Sequence, residues 1–290
     1  MTIALDKSIP KPNFLIIGTQ KGGTTWLRKM LLEHPNIYIP PYPEEVHFFN
    51  RSLLQPDLYF ALFNVVEAKD KMLGEKSPNY FHMPEKCIRF VHSLMPEAQL
   101  LVLLRNPTER AWSQARMHTS SFNQRSLEKK DLFKLVLQVA SRGNFERTNY
   151  AKVLRRWLQY FPKEQVLVYF YDDLQDNPQA FLDRICTDLG VAKFVPKGLE
   201  KRVHVSKQMT MPKDLRWFLD WRYKQVVKEL EEMDYEVPNT WKENEVALSF
   251  LKRLIFLVVY LFWNLLTRVI YFLYQFKVKR SIVVPKIHFD

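Results

Sequence analysis

An α/β fold, a parallel sheet with helices on both faces, is what this sequence predicts, and three observations predict it. Short runs that are apolar at nearly every position, Phe14-Leu-Ile-Ile17, Leu100-Leu-Val-Leu-Leu104 and Val166-Leu-Val-Tyr-Phe-Tyr171, each read as a strand buried on both faces. Each run is followed by a turn and then by a stretch of helical periodicity, and strands that alternate with helices form parallel sheets through crossovers. Composition agrees: 47% hydrophobic and 26% charged residues describe a globular chain and exclude a disordered or collagen-like one.

Taken in order, Phe14–Ile17 is a strand, a Gly/Thr-rich turn follows it, and Thr25 to Leu32 is periodic as a helix. The second unit starts at Leu100, breaks at Arg105-Asn-Pro and resumes as a helix carrying Arg110, Trp112 and Ser113. Val166–Tyr171 is the third strand, followed by Asp172-Asp173 and a helix from about Pro178 to Leu189. A proline-rich loop, Pro40 to Pro43, leads into Glu44-Glu-Val-His-Phe-Phe49, and Gln114 to Lys130 is expected as a loop that recognises the substrate. The sequence predicts one domain over residues 1–245 and a separate hydrophobic, basic C-terminal helical extension over 246–290.

The charge balance is 43 − 31 = +12, and residues 246–290 hold seven Lys/Arg against one Asp, so half the excess lies in the last 45 residues. The remainder is mildly basic, which favours anionic small molecules and membrane surfaces as partners over nucleic acid. Two cysteines, Cys87 and Cys186, make neither a disulfide framework nor a zinc site, and read as thiols of a reducing compartment. Residues 1–13 carry Asp6, Lys7, Lys11 and two prolines where a signal peptide needs an apolar run, so the expected location is cytoplasmic, peripheral on a membrane if the tail binds one.

That tail contains Leu254 to Phe276, 23 residues with Arg268 as the only charge. As a helix at about 1.5 Å per residue it is long enough to span a bilayer. Arg253, Tyr260, Asn264, Thr267, Arg268, Tyr271 and Gln275 nevertheless make one polar stripe, which suits a helix lying in the membrane interface. Spanning, interfacial attachment and docking on the protein's own core all stay open.

The chemistry is concentrated at the first strand-to-helix turn, Gly18-Thr-Gln20-Lys21-Gly22-Gly23-Thr24-Thr25. A phosphate suits this place: glycines let the backbone approach, the helix N-terminus offers free N–H groups, and Lys21 with two threonines adds charge and donors. The loop is P-loop-like without being a Walker A sequence, which would need lysine where Thr24 stands.

These residues resemble the family of sulfotransferases that use 3′-phosphoadenosine 5′-phosphosulfate, in particular the branch containing the heparan sulfate sulfotransferases. The resemblance rests on Thr19-Gln-Lys-Gly-Gly-Thr-Thr25, Glu44-Glu-Val-His-Phe-Phe49, Glu75-Lys-Ser-Pro-Asn-Tyr-Phe81 and Leu104-Arg-Asn-Pro-Thr-Glu-Arg-Ala-Trp-Ser113, in family-like order across roughly residues 12 to 215. It implies sulfuryl transfer to a hydroxyl or amine of a glycan, glycolipid or small metabolite, without a metal. It implies that Gln20, Lys21, Gly22, Gly23, Thr24 and Thr25 cradle the 5′-phosphosulfate, that Arg105 and Ser113 hold the 3′-phosphate, and that Lys76 reaches the reacting centre. The base it implies is Glu45, with His47 beside it, and Glu75 is the alternative carboxylate. In an extended segment residues two apart share a face, so Glu45 and His47 are expected to point together while Glu44 and Val46 point away.

Ser206-Lys207-Gln-Met-Thr-Met-Pro212 resembles the family's cofactor-covering loop, with Lys207 as a phosphate contact, but Gln208 and Met209 replace its usual glycine and basic residue. Two rivals remain at this stage. A kinase-like phosphotransferase would use Asp172-Asp173 for Mg²⁺, and a non-catalytic, membrane-tethered nucleotide-binding protein would leave Glu45, His47 and Lys76 unexplained.

Overall fold

The structure is a computed structural model that describes residues 9–50, 55–123, 128–199 and 209–242, together with Leu254, Val258, Leu261, Phe262 and Leu265. The described residues fall into two compact units, one drawn from residues 9–104 and 153–199 and the other from 105–152 and 209–242.

The first unit is built on a five-stranded parallel sheet in the order β2-β3-β1-β4-β5. Its strands are β1 (Phe14–Gly18), β2 (Ile37–Tyr38), β3 (Met72–Lys76), β4 (Gln99–Leu104) and β5 (Val166–Phe170). The three apolar runs became β1, β4 and β5, and every residue of β1 is buried, as a strand covered on both faces requires. β2 and β3 are elements that strand periodicity did not mark. β2 is two residues long, and β3 reads Met-Leu-Gly-Glu-Lys, whose two charged residues hide its place beside β1.

The helices of this unit are α1 (Thr24–Leu31), the short α2 (Pro56–Phe60) and α3 (Glu85–Leu94); three more follow the second unit's helices in the chain. On one face of the sheet Trp26, Leu27 and Leu31 of α1 pack with Ile16, Leu101 and Leu103. Gly74 is where β3 meets β1: it lies in register with Phe14, and a Cβ there would stand 2.1 Å from the Phe14 ring.

The second unit contains α4 (Pro107–Asn123), α5 (Leu132–Ala140) and α6 (Arg142–Thr148). α7 (Tyr150–Trp157) follows in the chain, then α8 (Tyr171–Asp176) and α9 (Pro178–Asp188) of the first unit, and α10 (Lys213–Glu231) of the second. Asn106 caps α4, its Oδ1 accepting from the N–H groups of Thr108 and Glu109 at 3.0 and 3.2 Å, with Pro107 at the first helical position. Asn177 and Pro178 repeat that arrangement at α9, which starts where the sequence placed it.

The expected recognition loop Gln114–Lys130 is corrected here, because α4 continues through Asn123. Gln114 is a buried helical residue whose Oε1 accepts 2.5 Å from Arg110 one turn earlier. Arg110 is itself fully buried, and its guanidinium is satisfied by neutral oxygens of Gln114, Asn144 and Thr148. Arg110 and Gln114 are therefore held as interior structure, which their polar character concealed.

Lys207 lies outside the described residues, as does the C-terminal extension 246–290 apart from the five residues named above, which are helical. Among the described residues no helix is long and apolar enough to cross a membrane.

The tight contact at Gly74 gives a prediction. Gly74→Ala should destabilise the protein by about 1–3 kcal/mol, the cost of forcing atoms into a packed interior, and urea unfolding of the two proteins measures it.

Candidate functional site

The loop at the carboxyl end of β1 lies beside the carboxyl end of β4, because Thr19 donates to the Leu103 carbonyl from both its N–H (2.9 Å) and its Oγ1 (2.8 Å). In this sheet order β1 is the strand from which the chain proceeds to either side, and such a crevice at the strand ends is where ligands bind in open α/β sheets. Gly22 permits the approach: a Cβ there would stand 2.3 Å from the Leu103 oxygen.

Gly23 is left-handed (φ 100°) as the N-cap of α1, and Lys21 is left-handed as well (φ 73°), a conformation costly for a residue with a Cβ. No side chain caps α1 and no acidic residue lies in its first turn, so the positive end of its dipole is open to an anion. A cradle of this kind fits a phosphate or phosphosulfate.

β3 brings the second component. Lys76 is buried, and its ammonium meets Glu44 Oε1 at 3.0 Å, Glu45 Oε1 at 2.9 Å and Thr25 Oγ1 at 3.3 Å. One cation thus joins the first turn of α1 to the two carboxylates that follow the proline-rich loop. Glu45 also reaches His47, Oε2 to Nε2 at 2.9 Å, and Asn50 Nδ2 lies 3.3 Å from His47 Nδ1. Glu45 and His47 do meet, but the simple alternation expected of an extended segment is corrected: Glu44 turns to the same ammonium. The segment is not regularly extended, since His47 is left-handed (φ 54°).

Glu75, next to Lys76 in β3, points to the opposite face of the sheet, as strand neighbours must. It is completely buried, accepting from the hydroxyls of Tyr59 (3.1 Å) and Ser77 (3.4 Å), and it is also hydrogen-bonded to Tyr80. Burial pushes its carboxyl up to about 8, against the downward pull of those hydrogen bonds.

Ser77 Oγ accepts from the His47 N–H (3.0 Å), and Tyr80 OH accepts from the Phe48 N–H (2.7 Å). The Glu75 cluster therefore holds the backbone of the segment that presents Glu45 and His47. From α1, Arg28 secures the start of that segment by donating to the carbonyls of Pro40 (2.8 Å) and Pro41 (3.0 Å).

Arg28, Ser77, Tyr59, Tyr80 and Asn50 were not singled out by sequence reasoning. Ser77 and Tyr80 stand inside the block Glu75-Lys-Ser-Pro-Asn-Tyr-Phe81, whose family-like spacing was the available signal; Arg28 and Tyr59 had none.

In the second unit Arg105 Nη2 lies 3.8 Å from Glu109 Oε2, its carbonyl accepts from Tyr150 OH (2.7 Å), and Ser113 is buried two turns along α4. Asp172 and Asp173, the carboxylates of the phosphotransferase rival, lie in the first turn of α8, where Asp173 is 3.8 Å from Arg184. Among the described residues no group of three or more His, Cys, Asp or Glu side chains is arranged to hold a metal ion.

A sulfotransferase domain is the class that this fold and this loop define: the family model of that description matches residues 11–241, and the chain belongs to that family. Among individual relatives, it is 36% identical over 197 residues to the bifunctional heparan sulfate N-deacetylase/N-sulfotransferase 3 of Homo sapiens, a match covering 62% of this chain and 22% of that protein. It is 28% identical over 191 residues to the heparan sulfate glucosamine 3-O-sulfotransferase 3B1 of Mus musculus, covering 63% of this chain and 47% of that one. The chain thus spans less than half the length of either of these curated relatives. The crystal structure of a sulfotransferase from Alicyclobacillus acidocaldarius superposes with a TM-score of 0.65 at 28% identity, covering 81% of this chain and all of that one.

The buried carboxyl gives the second prediction. A carboxyl raised to about 8 in the folded protein holds its proton where the unfolded chain releases it, so its stabilising contribution is complete below the ordinary carboxylate range and is lost as pH rises towards 8. Stability should fall between pH 5 and 8 relative to Glu75→Gln, by up to about 1 kcal/mol per pH unit, as read from urea midpoints of both proteins across that range.

Proposed function

We propose that this protein transfers a sulfuryl group from 3′-phosphoadenosine 5′-phosphosulfate to a hydroxyl or amine of a glycan. The observation that carries the reading is Lys76, whose ammonium bonds at once to Thr25 of the phosphate-cradling turn and to Glu45 of the Glu45–His47 pair. Groups suited to an anionic donor and to deprotonating an acceptor are thereby brought within one side chain of each other. The family supports the donor. The names of the relatives, which act on heparan sulfate, favour a glycan over a glycolipid or a small metabolite.

When bound, the donor supplies a sulfuryl group on a phosphate leaving group. Glu45 accepts the proton that the acceptor's O–H or N–H loses as it attacks sulfur, and His47, 2.9 Å from the other carboxylate oxygen, orients that carboxylate. Lys76 neutralises charge on the sulfuryl oxygens. Lys21 and the α1 N-terminus stabilise the negative charge that builds on the departing phosphate oxygen. Residues 20–25 hold the 5′ end of the donor, Arg105 and Ser113 hold its 3′-phosphate, and Lys207 is assigned a phosphate contact. Glu75 fits a different task, since its carboxyl faces Tyr59, Ser77 and Tyr80 on the far face of β3 from Lys76.

Radiolabelled donor offered with desulfated heparan, a glycolipid extract and a metabolite extract tests the reading directly; label is expected on the glycan, and label on none of them would refute it. Glu45→Gln keeps the shape and removes the base, so turnover should fall about 10²–10⁴-fold with donor binding intact. Glu75→Gln mimics the protonated acid and should retain most of the turnover; the reverse pattern would assign the base to Glu75. Lys21→Ala should lower turnover more than donor affinity, because its charge matters most when the leaving oxygen becomes anionic. Single-turnover rates and donor titrations on the same samples separate the two effects.

A further inference from the structure

The second unit carries a guanidinium cluster larger than the two-residue phosphate grip requires. On α4, Glu109, Ser113 and Arg116 follow at i, i+4 and i+7 and share one face. On α10, Arg216 and Asp220 stand one turn apart, and Thr108 Oγ1 ties the two helices by donating to Asp220 Oδ1 at 2.6 Å. The Glu109 carboxylate is held from both sides, with Arg216 hydrogen-bonded to Oε1 and Arg105 Nη2 3.8 Å from Oε2. Arg116 feels the charges of both Arg105 and Glu109, and its Nε is buried without a hydrogen-bond partner.

Two guanidinium groups therefore face a carboxylate that carries a single charge and is about a third exposed, and the charge of Arg116 on the same face of α4 is felt there too. Arg216 already hydrogen-bonds it as it would an oxyanion, and Arg105 stands at ion-pair distance. A phosphate dianion brings twice the charge and more acceptor oxygens, and planar guanidinium forks match it in pairs. Glu109 can turn out to water at small cost, because an ion pair this exposed contributes little.

Resting on the donor reading above, we propose that Arg216 is a further ligand of the donor's 3′-phosphate beside Arg105 and Ser113, and that Glu109 is the internal placeholder which that phosphate displaces. The placement also answers a departure in the sequence. The covering loop Ser206–Pro212 lacks the basic residue that its resemblance leads one to expect, and Arg216 stands four residues beyond its end. Glu109 would then add selectivity, since a monoanion gains little by replacing it and a dianion gains more.

The test is calorimetry on the full chain with adenosine 3′,5′-bisphosphate and adenosine 5′-monophosphate. R216Q should weaken bisphosphate binding about 10–100-fold and leave the monophosphate unchanged, while E109Q should tighten the bisphosphate a few-fold. R216Q that binds the bisphosphate as the unaltered protein does, or that loses both nucleotides equally, would overturn the assignment. Should R216Q fail to fold, as judged by circular dichroism, E109Q and R216K decide. The proposal requires tighter bisphosphate binding in E109Q, and in R216K a preference for the bisphosphate that is reduced but present; weaker binding in E109Q or an unchanged preference in R216K overturns it. Equal affinity of the unaltered protein for the two nucleotides would instead bring down the 3′-phosphate reading itself, and this inference with it.

Discussion

A buried ammonium without partners is among the more costly groups a fold can contain, and Lys76 is such an ammonium with its partners supplied. Strand β3 carries it into the interior next to β1. There Glu44, Glu45 and Thr25 must all come to it, because leaving a charge unpaired in that position costs several kcal/mol. The consequence is geometric. The first turn of α1 and the segment following the proline-rich loop, remote from each other in sequence, converge on one nitrogen atom.

The supports of this arrangement are graded by burial. Glu45 and His47 are partly exposed, as the role proposed for them requires. Behind them, Ser77 and Tyr80 hold the backbone N–H groups of His47 and Phe48, and both are themselves hydrogen-bonded to the completely buried Glu75. Such a network is stabilising only when every member is satisfied, and a low-dielectric interior makes each of its bonds strong and each vacancy costly. Adjacent residues of one strand thus serve opposite ends: Lys76 faces Glu44, Glu45 and Thr25, and Glu75 faces the aromatic interior that keeps the backbone of the Glu45–Phe48 segment in place. The left-handed His47 and Lys21 show where backbone strain is carried, one in the segment after the proline-rich loop and one in the glycine-rich turn after β1.

In the second unit the same economy of charge takes another form. Arg110 is buried among neutral oxygens and serves packing, whereas Arg105, Arg116 and Arg216 stay near the surface around Glu109. Arginine side chains of this unit therefore divide between interior structure and a partly exposed cluster around one carboxylate. Burial and partner type distinguish them; residue identity does not.

The sequence by itself determined β1, β4 and β5 and the glycine-rich turn after β1, because continuous apolar runs and a Lys-Gly-Gly pattern at a strand end are local signals that few other structures satisfy. It also brought Glu45, His47, Lys76, Arg105 and Ser113 forward, through blocks whose spacing resembles the family. It did not reveal β3 as a strand, since Glu75 and Lys76 look like surface residues until their partners are known. Nor did it reveal that Glu44 joins Lys76, that Gln114–Asn123 is helix, or that Arg216 shares Glu109 with Arg105. Each of these depends on a partner separated by between four and more than a hundred residues, and whether a charged side chain is buried and paired is decided by what the completed fold places beside it.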